Sequence, residues 1–79
     1  MNLFYLEKKL KIINELSFKE LQNIPKKALN LYNDESELGI PTGIGYDDEF
    51  GWFVLQTMGQ GPQLLWCEKE DNIQHQKRI

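Results

Sequence analysis

A chain of 79 residues with 41% hydrophobic side chains allows a single domain with one modest core. Such a chain buries about 60–65% of its unfolded surface, which leaves no room for a deep substrate cavity between layers. The lone cysteine, Cys67, excludes an internal disulfide, and with the lone histidine, His75, it cannot complete a zinc framework. A net charge of −3 and a pI near 5.0 argue against a general nucleic-acid-binding domain, which carries a basic stripe.

The charge is unevenly spread. Residues 1–33 hold six lysines against Glu7, Glu15 and Glu20, a balance of +3. Residues 34–50 hold six carboxylates (Asp34, Glu35, Glu37, Asp47, Asp48 and Glu49) and no base, a balance of −6. The rest of the chain cancels. Such segregation favours oriented docking on a protein partner, although a solvated acidic loop beside a lysine-bearing helix has the same composition. The opening residues reach Glu7-Lys8-Lys9 without an apolar signal region, and no apolar run is long enough to span a membrane, so a cytoplasmic protein is expected.

Leu3, Leu6, Leu10 and Ile13 recur at steps of three and four, with Leu16 extending the stripe, and predict a helix over 3–16 with Asn2 as its N-cap. Ser17-Phe18-Lys19-Glu20 is a capping-box pattern that starts a second helix at Phe18. Pro25 interrupts that helix. The preferred reading is a short turn over 18–23 followed by a helix from Pro25 to Tyr32, because proline suits a helix start. Asn33-Asp34 ends it. Residues 34–42 then read as a loop punctuated by Gly39 and Pro41, with Leu38 and Ile40 pinning it to the core.

The most structured stretch is 43–58, which holds Tyr46, Phe50, Trp52 and Phe53, four of the nine aromatics. Asp47-Asp48-Glu49 breaks two apolar runs and reads as a hairpin turn. Gly51–Met58 predicts a central strand, with Trp52, Val54, Gln56 and Met58 on one face and Phe53, Leu55 and Thr57 on the other. Helices are expected to cover one of those faces. Gly59–Pro62 is a turn, Gln63–Glu68 a third strand, and Ile73–Lys77 a fourth short strand or a polar tail. The fold class is therefore α+β: two N-terminal helices (about 2–33) on an antiparallel meander of three or four strands (about 43–78), all in one domain.

No stretch presents a catalytic, cofactor or metal motif. Cys67 sits between Trp66 and Glu68, where burial and a carboxylate disfavour the thiolate, so a small buried hydrophobe is its preferred reading over a nucleophile. His75 lies in a polar tail. Three consecutive carboxylates at a hairpin tip diverge and do not assemble a calcium site. Gly43-Ile-Gly45 and Gly59-Gln-Gly61 lead into no helix and lack the lysine and serine of a phosphate loop. The sheet aromatics read first as core, then as a protein interface, and last as a stacking surface for bases, since residues 43–66 contain no lysine or arginine.

The expectation that follows is a non-enzymatic acidic module that docks on a larger protein, most sharply an inhibitor from a phage or mobile element acting on a bacterial defence or host protein. Its docking residues would be Glu35, Glu37, Tyr46, Asp47, Asp48, Glu49, Phe50 and Trp52, with no cofactor required. A homodimer hiding an apolar sheet face is a further option. The alternatives are a nucleic-acid binder using Lys8, Lys11, Lys19, Lys26 and Lys27, and a small enzyme or enzyme subunit using Cys67 or His75.

Overall fold

The computed structural model describes residues 3–34, 41–58 and 61–70. Helices α1 (Leu3–Lys9), α2 (Phe18–Asn23) and α3 (Lys26–Asn33) accompany one antiparallel sheet of order β1-β2-β3-β4. Its strands are β1 (Leu10–Lys11), β2 (Pro41–Asp47), β3 (Gly51–Met58) and β4 (Gly61–Cys67). The α+β class and the meander of β2, β3 and β4 are as expected. Among the described residues no helix is long and apolar enough to cross a membrane.

The N-terminal helix is shorter than its apolar spacing predicts. It ends at Lys9, and the chain pairs with the edge of β2, Leu10 opposite Gly45 and Lys11 opposite Ile44. A single-turn 3₁₀ segment, Ile13–Glu15, follows. The stripe that looked like one helix face is thus divided between two cores. Leu3 and Leu6, with Leu10 beside them, pack on Phe53, Leu55, Leu64 and Cys67. Ile13 joins Ala28, Ile44, Trp52, Val54, Leu65 and Trp66. Strand β1 lets the chain pass around the sheet edge, and the hydrogen bonds it makes there replace the helical ones it gives up.

Both faces of the sheet are therefore covered, α1 on one side and α3 on the other. This corrects the expectation that helices cover only one of the two faces. It also accounts for β3, whose two faces are equally apolar because each meets its own helix. Strand β4 adapts to the same demand with a bulge. Val54 faces Trp66 while Leu55 faces Leu64, so Leu65 is an extra residue. The bulge puts Leu65 and Trp66 together on the α3 side and returns Cys67 to the α1 side with Leu64.

Gly45 permits the close approach of α1 and β1. A Cβ there would lie 2.7 Å from Phe53 Cζ, 2.9 Å from the Lys9 carbonyl oxygen and 3.0 Å from Leu10 Cα. Strand β2 begins at Pro41, inside the stretch expected to be loop, with a register shift between Pro41 and Gly43.

The break between the second and third helices falls where the sequence put it. The Ser17 hydroxyl accepts from the Glu20 N–H at 3.2 Å and the Glu20 carboxylate accepts from the Ser17 N–H at 3.0 Å, completing the capping box of α2. Ile24 is extended before Pro25, which is the N-cap of α3, so the helix starts at Lys26, one residue later than expected. The fourth strand of the sheet is β1; the expected one at 73–77 lies outside the described residues, as do Asn2, Leu38, Ile40 and His75.

Candidate functional site

The β2–β3 hairpin carries most of the residues expected to dock. Asp48, Glu49 and Phe50 form its turn, between the paired Asp47 and Gly51. Gly51 closes the turn at φ +74°, where a Cβ would also lie 2.7 Å from a Glu68 carboxylate oxygen. Asp47 points inward and is only 2% exposed. One of its oxygens accepts from the Glu49 N–H (2.9 Å) and the Phe50 N–H (3.1 Å), and the other lies 3.3 Å from Lys9 Nζ at the end of α1. Burial pushes the Asp47 carboxyl up, but the Phe50 and Glu49 amides and the Lys9 ammonium outweigh it, leaving the group below its ordinary value. Lys9 also lies over the Tyr5 ring at 4.9 Å and is raised by its contacts with Tyr5 and then with Asp47.

A second clamp comes from the other end of the chain. After β4 a 3₁₀ turn, Glu68–Glu70, folds back on the hairpin. The Lys69 ammonium donates to the Asp48 carbonyl (2.9 Å), and the Lys69 N–H to the Phe50 carbonyl (3.3 Å). The tip is thus held from α1 and from the C-terminal turn together. Asp47, read as one of three diverging carboxylates of the turn, is the acceptor that holds the Glu49 and Phe50 amides.

The exposed set is consequently smaller than the sequence suggested. Asp48 and Glu49 face solvent, and Tyr46 is 46% exposed, with its ring edge-on to Trp52 at 5.5 Å and 71°. Trp52 is buried in the α3-side core and Phe50 packs half-buried on the α1-side core. Asp47 and Trp52 are thus buried and Phe50 is partly exposed. Glu35 and Glu37 lie outside the described residues.

Other candidates are dispersed. Cys67 is fully buried against α1. Among the described residues no group of three or more histidine, cysteine, aspartate or glutamate side chains is placed to hold a metal ion. Two of the amino-terminal lysines are engaged by carboxylates, Lys9 by Asp47 and Lys11 by Glu20 at 2.8 Å. The Glu20 carboxyl is held down to about 2 by Lys11 first and by the Ser17 amide and hydroxyl after it.

Gln56 and Gln63 face each other across β3 and β4 and are both buried. Among the described residues, neither amide atom of Gln63 nor the Trp66 indole N–H has a hydrogen-bond partner. A buried polar group left unmatched costs about 1–3 kcal/mol. The variant Gln63→Met, close in volume and without the amide, is expected to raise stability by about 1 kcal/mol. A lower melting temperature than wild type would show instead that the amide is satisfied in solution.

Comparison with protein-family models, with curated proteins and with solved structures finds no match for this chain.

Proposed function

We propose that this protein is a non-enzymatic binding module whose hairpin tip docks on a basic surface of a larger protein. The observation that carries the reading is the double clamp on the tip. Asp47 with Lys9 on one side and Lys69 on the other hold a short turn in one geometry, while Tyr46, Asp48 and Glu49 remain accessible. A turn ordered before binding loses little conformational entropy on docking. An aromatic ring beside two carboxylates supplies both contact area and charge complementarity to lysine or arginine. The segregated charge of the chain, −6 over residues 34–50, orients the encounter. An inhibitor of a host or defence protein with a basic groove is the sharpest form of this reading.

Tagged protein should capture a stoichiometric partner from lysate of its source organism at low salt, with and without nuclease. The double variant Asp48→Lys, Glu49→Lys reverses the tip's charge without touching Asp47 or its amide contacts, and is expected to weaken the captured complex by at least about tenfold and to flatten its salt dependence. A partner held equally well by the variant would remove the tip from the interface. Loss of the partner on nuclease treatment would favour the lysine-based nucleic-acid alternative.

A further inference from the structure

Helix α2 contributes no buried residue to either core. Phe18 is 75% exposed and Leu21 is 40% exposed, and Ile12, close by in sequence, is exposed as well. A helix of six residues does not persist by its own propensity. This one is fixed by the complete Ser17–Glu20 capping box and by the Lys11–Glu20 ion pair. The ion pair also engages Glu20, and Lys19 on α2 and Lys26 and Lys27 at the start of α3 are exposed. The molecule thus holds an exposed apolar knob in a set position, with no fully buried residue of its own.

We infer that α2 docks on the hairpin tip of a second copy of this chain, Phe18 and Leu21 meeting Tyr46 while Lys19, Lys26 and Lys27 face Asp48 and Glu49. The tip has the complementary chemistry: an exposed aromatic ring and two exposed carboxylates. The +3 balance of residues 1–33 and the −6 balance of residues 34–50 make such a contact attractive between copies. Both sheet faces are already covered by α1 and α3, so this contact differs from the sheet-face homodimer that the sequence left as an option. It joins two unlike surfaces, so each copy carries one knob and one tip. The inference shares the tip with the proposed function, and it follows that self-association and partner binding compete.

Sedimentation velocity of the wild-type protein over micromolar to submillimolar concentrations should show reversible association that weakens with salt. Phe18→Glu, at a solvent-exposed site, should leave the thermal melt unchanged and weaken self-association by at least about tenfold. Asp48→Lys, Glu49→Lys should do the same. Mixing the two variants, each with one intact surface, should restore a one-to-one complex. A wild-type protein that stays monomeric throughout, or association insensitive to both variants, would overturn the inference. If the wild type is monomeric and Phe18→Glu abolishes capture of a foreign partner, α2 belongs to that interface and the self-contact is wrong. Wild-type association with partner capture indifferent to the tip charges would sink the proposed function alone.

Discussion

Phe53→Ala is expected to destabilise the domain by about 3–5 kcal/mol, the usual cost of emptying a buried phenylalanine site. Phe53 is fully buried at the centre of the α1-side core, among Leu3, Leu6, Leu55, Leu64 and Cys67. Its ring also fills the space that Gly45 leaves open, so its loss removes the surface on which α1 and β1 rest. A domain of this size has a total stability of about 4–12 kcal/mol at typical values per residue. The variant should therefore melt far below wild type and be partly unfolded at growth temperature. Urea denaturation followed by tryptophan fluorescence reads the effect through Trp52 and Trp66. A loss under about 1 kcal/mol would mean that α1 is not seated on the sheet as described.

Asp47→Ala has the second largest expected effect, about 2 kcal/mol, from the loss of the acceptor for two turn amides and of the partner of Lys9. The Lys9 side chain is about a third exposed, so solvent screens the ion pair and the turn amides carry most of the loss. Asp47→Asn, which keeps an acceptor oxygen and removes the charge, should lose less. The same carboxylate gives stability a pH dependence of definite sign. Its pKa is lower folded than its ordinary value of 3.8, so its contribution is complete above that value and is lost as pH falls through the folded one. Glu20 acts in the same direction, its contribution disappearing between about 4.5 and about 2. Wild type should lose stability on acidification below pH 4 more steeply than Asp47→Ala. Parallel curves for the two would show that Asp47 is not paired in solution.

The proposed docking adds a functional readout to the Asp47 variants. Because Asp47 is buried, its removal does not subtract a contact from the proposed docking surface. It loosens the turn that positions Asp48 and Glu49. The binding loss in Asp47→Ala should therefore appear as a larger entropic cost in calorimetry, whereas charge reversal of Asp48 and Glu49 should appear in the salt dependence.

Local signals in the sequence determined much of this protein. Ser17 and Glu20 specify the start of α2 because a capping box involves only residues three apart, and Pro25 specifies the break before α3 because its ring forbids continuation. Strand β3 was legible to the residue from its apolar run and the acidic turn before it. The exposure of Asp48 and Glu49 belongs to the same hairpin signal. Only the tertiary structure decided the remainder. Leu10 leaves its helix because the Gly45 edge of β2 offers backbone hydrogen bonds and a surface without a Cβ, a pairing across more than thirty residues that no local pattern encodes. That exchange moves Ile13 to the opposite core and gives each face of the sheet its own helix. Asp47 turns inward because Lys9, delivered by the end of α1, waits there. Phe18 and Leu21 have helical spacing indistinguishable from that of core residues, and they stay outside because the other helices already occupy both faces of the sheet.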